Sequence, residues 1–270
     1  MTRECLLHES AEIDATAQRM ADAARQAILP FFRQPDLLTD NKLAGGYDPV
    51  TEADRAAETA MRAILAESRP DDAILGEEFG RAEGTSGLTW VLDPIDGTRA
   101  FVSGTPTWGV LIAVSDNSGP FYGLIDQPYI GERFVGHGAQ AWMQGPLGQR
   151  ALSTRPTTRL DQATLLTTFP EVGSAEEGAA FHAVAQQVKL TRYGMDCYGY
   201  ALLAAGQVDL VIEAGLQAYD IQAPIALIQA AGGVVTDWDG APAHEGGRAL
   251  AAANPDIHAA ALTVLRDSLA

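Results

Sequence analysis

At 270 residues, with 47% hydrophobic and 20% charged residues, the chain has the composition of a globular protein of one large domain or two smaller ones. A net charge of −17, with lysine only at Lys42 and Lys189, argues against a phosphate-neutralising surface for nucleic acid. No window approaches the roughly 18 apolar residues of a bilayer span; Cys5 and Cys197 are too few for a disulfide framework, so free thiols in a cytoplasmic protein with no membrane partner are expected.

In chain order, Ile13, Ala17, Met20, Ala24, Ile28 and Phe31 recur at helical spacing and leave Glu12, Arg19, Asp22 and Arg25 outside. This predicts an amphipathic helix from Glu9 to Phe32, closed by Pro35. Leu37 to Pro49 reads as a glycine-containing connection carrying Lys42 and Asp48. Thr51 then suits the N-cap of a second helix with Ala57, Met61, Ile64 and Leu65 inward, and Asp54 near its start fits capping. Ala73 to Gly76 is a short strand leading into Glu77 and Glu78, of which only one can face a shared site, because adjacent extended residues point opposite ways.

The most informative stretch is Trp90 to Gly109. Trp90, Val91 and Leu92 read as a buried strand that meets Asp93-Pro94-Ile95-Asp96-Gly97-Thr98. Pro94 is expected to stop the strand and force a sharp turn that brings both carboxylates to one point. Gly97 and Thr98 suit the entry to a helix, where unpaired N–H groups would face an anion. Paired hard oxygen ligands beside an anion cradle point to Mg2+ and a phosphate; the alternative is an Asp-Pro turn followed by an Asp-Gly turn with no chemistry attached.

Gly109 to Ser115 and Pro120 to Asp126 form a hairpin signal across Asp116-Asn117-Ser118-Gly119, and Glu132 to Val135 and Ala139 to Met143 extend the same antiparallel sheet. Gly145 to Arg159 reads as a connection, with a boundary near residue 150 between an N-terminal α+β subdomain (1–150) and a C-terminal α/β subdomain (151–270). In the latter, strands are expected at Ala163–Phe169, Lys189–Tyr193, Val208–Glu213, Val234–Trp238 and Ala249–Ala253. Helices are expected at Ser174–Val188, Cys197–Gly206, Asp220–Ala231 and Pro255–Leu269. Asp220, in the first turn of its helix, fits a cap or a charge opposing the dipole.

Glu77, Asp93, Asp96 and Asp220 thus all lie at strand ends or a helix start, a set of oxygen donors that favours Mg2+ over zinc. Gly76-Glu77-Glu78, the run from Trp90 to Thr98, and Tyr219-Asp220 followed by Ala230-Ala231-Gly232-Gly233 resemble, in order and spacing, the three signatures of the inositol monophosphatase superfamily. The resemblance implies a layered αβαβα fold and a Mg2+-dependent phosphomonoesterase, usually a homodimer. It implies that Glu77, Asp93 and the carbonyl of Ile95 hold one ion and Asp93, Asp96 and Asp220 a second, with a third, weaker ion near Glu77. It further implies that Asp54 works with Thr98 on the attacking water, that Glu77 rather than Glu78 is the ligand, and that Gly97 and Thr98 meet the phosphate.

Arg99-Ala100-Phe101, Gly104 to Gly109, and Arg192-Tyr193-Gly194-Met195-Asp196-Cys197-Tyr198 resemble the histidinol-phosphate phosphatases of that superfamily, although Met195 stands where that subgroup is expected to carry glycine. Histidinol carries an ammonium and an imidazole where inositol offers only hydroxyls, so an extra acid in the pocket favours it. Asp196 and Glu213, with Arg192 beside them in the motif, are the expected substrate contacts, and an N-cap role is the alternative for Asp196. A phosphatase for inositol 1-phosphate or a related ester, or a non-catalytic Mg2+-binding scaffold, are the other readings.

Overall fold

The computed structural model describes residues 3–34, 39–41 and 49–269, with the side chains of 3–9, 39–41 and 49–51 left aside. The connection expected between Leu37 and Pro49, with Lys42 and Asp48, lies outside the described residues but for two short strands; the Thr51 cap and the Cys5 thiol also lie outside them.

In chain order, α1 (Arg3–Ile28), β1 (Thr39–Asn41), β2 (Pro49–Thr51) and α2 (Glu52–Ser68) come first. They are followed by β3 (Ala73–Gly76), β4 (Gly80–Ala82), β5 (Thr89–Asp96), α3 (Thr98–Ser103), β6 (Gly109–Asp116), β7 (Gly119–Gln127), β8 (Glu132–His137), β9 (Gln140–Gly145) and β10 (Gly148–Ala151). The remainder comprises β11 (Thr164–Leu166), α4 (Ala175–Ala185), β12 (Leu190–Arg192), α5 (Asp196–Ala204), β13 (Leu210–Leu216), α6 (Ala218–Ala230), β14 (Val234–Thr236), β15 (Gly247–Ala252) and α7 (Pro255–Leu269).

These elements stack in five layers. An eight-stranded sheet runs β10-β9-β8-β7-β6-β5-β3-β4 and is antiparallel except for the β3–β5 pair; a five-stranded mixed sheet runs β12-β11-β13-β15-β14. Helices α1 and α2 cover the outer face of the large sheet through Met20, Ile28, Met61, Trp90, Leu92 and Ile112. Between the sheets, α5 and α6 bury Tyr200, Ala201, Ile221 and Leu227 against Val91, Leu111 and Val211. Helices α4 and α7 close the far side over Leu210, Ile212 and Leu250. Helix α6 lies very close to the large sheet: a Cβ on Gly136 would stand 2.4 Å from the Leu227 Cα, so only glycine permits this approach.

Two local expectations change. The first helix ends at Ile28 rather than Phe32, so the helical phase is lost and Phe32, not Phe31, is the buried ring. Part of the expected Gly145–Arg159 connection is β10, which pairs back on β9. Among the described residues, no helix is long and apolar enough to cross a membrane.

Candidate active site

The site begins with a departure from regular pairing in β5. Pro94 does not end the strand. Asp93 pairs with Leu111 and Asp96 with Gly109, so Pro94 and Ile95 together oppose Val110, the two-for-one count of a β-bulge. Acids three positions apart would face opposite sides of a regular strand. The extra residue restores agreement: Ile95 joins Trp90 and Leu92 in the outer core, and Asp96 returns to the face of Val91 and Asp93.

Other elements converge on this face. Asp220 sits in the first turn of α6, where one carboxylate oxygen accepts the Gln217 N–H at 2.7 Å, so it caps the helix and meets the cluster together. One carboxylate oxygen from each of Asp93, Asp96 and Asp220 lies within 4.8 Å of the others. The N-terminal end of α5 offers the Cys197 N–H to Asp96 Oδ2 at 2.6 Å, and Cys197 itself is a buried free thiol. Glu77, just past β3, reaches the cavity wall, whereas Glu78 turns to Arg55 at 3.4 Å.

Electrostatics follow from this crowding. Burial, then the charges of Glu77, Asp96, Asp220 and Asp54, hold the Asp93 carboxyl well above its ordinary range. Burial and the charges of Asp220, Asp196 and Glu213 do the same to Asp96 against the Cys197 N–H. Asp220 is pushed up to about 6, chiefly by burial. Asp93 Oδ1 is buried with no hydrogen-bond partner among the described residues. An unpartnered oxygen among carboxyls that resist ionising together is what a hard divalent cation relieves, and an all-oxygen donor set fits Mg2+.

The cluster opens into a cavity of about 500 Å³ lined by Glu77, Asp93, Ile95 to Arg99, Thr167 to Phe169, Glu171 to Gly173, Asp196, Cys197, Tyr200, Glu213 to Leu216 and Asp220. Gly97 (φ 84°) leads into α3, and a Cβ there would stand 2.7 Å from Asp196 Cγ. Thr98 Oγ1 donates to the Ile95 carbonyl at 3.3 Å. Asp54 is buried on α2 and acts on Asp93 through its charge, without lining the cavity.

Asp196 does not cap α5. It opens the helix with φ 45°, and its carboxylate accepts the Thr107 hydroxyl at 2.6 Å beside Gly97. Glu213 accepts Thr168 N–H at 2.9 Å, Thr168 Oγ1 at 2.6 Å and Tyr200 OH at 3.2 Å, while burial raises its pKa to about 7. Arg192, expected as a substrate contact, is not on this wall: it is exposed on β12, an edge strand, where its carbonyl accepts the Thr167 N–H.

The sequence reading missed Glu58, Thr107 and Thr168. Glu58 is fully buried, accepts the Glu78 and Phe79 N–H groups at 2.8 and 3.2 Å, and pairs with Arg62 at 2.7 Å, which fixes the corner carrying Glu77. Its signal was available: Asp54 and Glu58 lie four apart on the buried side of α2.

The inositol monophosphatase family matches residues 9–270. The chloroplastic bifunctional phosphatase IMPL2 of Arabidopsis thaliana is 44% identical over 229 residues, covering 84% of this chain but 64% of that protein, so the chain spans less than two thirds of that relative. A histidinol-phosphatase of Streptomyces coelicolor is 36% identical, covering 90% of this chain and 92% of that protein. An inositol monophosphatase structure from Zymomonas mobilis superposes with a TM-score of 0.84 at 39% identity, covering 96% of this chain and 98% of that one. With a cluster of three carboxylates at the head of a ligand-sized cavity, this chain is a phosphoric monoester hydrolase and belongs to the inositol monophosphatase family.

Proposed function

We propose that the substrate is L-histidinol phosphate, hydrolysed to L-histidinol and phosphate in histidine biosynthesis. The observation that carries this reading is the placement of Asp196 and Glu213 in the same cavity as the Asp93–Asp96–Asp220 cluster. Acids beyond those needed for cations give a substrate ammonium or imidazolium a charge-assisted partner, which a polyol cannot exploit as well. The similarity to the Streptomyces coelicolor histidinol-phosphatase supports it. The similarity to the Zymomonas mobilis structure supports a second reading, inositol 1-phosphate or a related sugar or nucleotide ester.

In this proposal Glu77, Asp93 and the Ile95 carbonyl hold one Mg2+, Asp93, Asp96 and Asp220 a second, and Glu77 contributes to a third, weaker one. When bound, Mg2+ supplies Lewis-acid polarisation of the phosphoryl group and a more acidic water. Gly97 and Thr98 direct N–H groups at the phosphate oxygens. Thr98 would orient the water, Asp54 would act on its proton through charge from behind the cavity wall, Glu77 would take part from the wall itself, and Asp196 and Glu213 would fix the leaving alcohol so that attack is in line. Residues 1–150 carry most of the cation ligands and 151–270 the alcohol contacts and Asp220. A homodimer in the cytoplasm belongs to the same proposal.

Purified protein assayed on L-histidinol phosphate, inositol 1-phosphate and a bisphosphorylated nucleotide, with and without Mg2+, tests it. The highest kcat/KM is expected for histidinol phosphate; a higher value for inositol 1-phosphate overturns the substrate assignment.

A further inference from the structure

Phe169 is one of the exposed large apolar side chains among the described residues, with 44% of the residue accessible, and it stands on the cavity wall. It follows β11 on the small-sheet side, whereas Arg99, which follows Thr98 in α3, comes from the large-sheet side. The Arg99 guanidinium carbon lies 4.8 Å from the Phe169 ring centroid, so the two walls meet in a cation–π stack. A guanidinium is flat, delocalised and cationic, and so is an imidazolium. The ring therefore already takes a planar cation, and its remaining exposed surface can take another. Glu171, Glu213 and Asp196 are acids that line the same cavity as that ring.

Resting on the histidinol-phosphate reading, we propose that Phe169 is a specificity-determining residue that stacks on a flat aromatic or cationic head group of the substrate alcohol. A polyol has no π-face or cationic plane to set against this ring, whereas an imidazole presents a π-face whether or not it is protonated. Specificity in this cavity then has two parts: the acids select charge, and Phe169 selects flatness.

The test compares wild type, Phe169→Ala and Phe169→Trp on L-histidinol phosphate and on glycerol 2-phosphate, which lacks a ring. The ratio of the two kcat/KM values is expected to fall about tenfold in Phe169→Ala, mostly through KM for histidinol phosphate, and to stay within about twofold of wild type in Phe169→Trp. A melting temperature close to wild type shows that the exposed loop position leaves the fold intact. A wild-type protein inactive on histidinol phosphate overturns both the substrate reading and this proposal. A wild-type protein that prefers histidinol phosphate, with the ratio unchanged in Phe169→Ala, overturns this proposal alone, as does equal loss on both substrates.

Discussion

Asp93→Asn should make the protein more stable without divalent ions and nearly inactive with them. Asp93 sits within 4.8 Å, carboxylate oxygen to oxygen, of both Asp96 and Asp220. At an effective dielectric constant of 20, one ionised pair at that separation repels by about 3.5 kcal/mol. The raised pKa values show that partial protonation already relieves some of this, leaving about 2 kcal/mol to be recovered near pH 8 by removing one charge. For a chain of this size that is a melting-temperature rise of roughly 4–8 °C in EDTA. With Mg2+ at about 100 times its Kd, wild type should gain about 2.7 kcal/mol, and the variant far less, so the two melting curves should change order on adding Mg2+. Turnover should fall by about a thousandfold or more. A folded variant that melts at or below wild type in EDTA and keeps the full Mg2+ shift would refute the placement of Asp93 at the centre of the cation cluster.

Glu213 titrates from an ordinary 4.5 up to about 7 on burial, so its contribution is present below pH 4.5 and lost as pH rises through 7. Thermal melts in EDTA should therefore decline across that window, and Glu213→Gln should flatten the decline; an unchanged slope counts against the buried carboxyl as its source. Glu58→Ala strips two N–H groups and half-buried Arg62 of their acceptor, and should cost about 3 kcal/mol in denaturant unfolding and weaken Mg2+ binding through Glu77. Unaltered Mg2+ affinity in a folded Glu58→Ala protein would separate that corner from the site. Asp196→Ala should raise KM for histidinol phosphate several-fold more than for an aryl phosphate lacking an ammonium; parallel changes would assign Asp196 to holding the Gly97 loop through Thr107 instead.

The elements legible in the sequence are those whose signal is local. Met20, Ala24 and Ile28 declare α1 by period, and Trp90 to Leu92 declare β5 by apolar run. The acids point to a cation site only as a set, since each alone also fits a cap or a turn. Contacts between distant segments were not legible: Thr107 reaches Asp196 across 89 positions and the Cys197 N–H reaches Asp96 across 101. No window of sequence contains both partners. Asp196 illustrates the limit, since its place at the start of α5 fits a cap, and only the packing against Gly97 shows its carboxylate turned elsewhere. The convergence of Asp93 and Asp96 was anticipated, but through a turn at Pro94 rather than through the pairing of β5 with β6.

That pairing makes chain length, as well as residue identity, a determinant of where the acids converge. The face on which Asp96 emerges depends on a count of residues against Val110 of the neighbouring strand. One residue inserted between Asp93 and Asp96 would exchange the roles of Asp96 and Ile95, sending the acid toward Trp90 and Phe101 and the isoleucine toward Asp220. Every acid would still be present in such a chain, and the cluster would be gone. Engineering of this centre by loop grafting therefore has to conserve parity in β5 before it conserves composition.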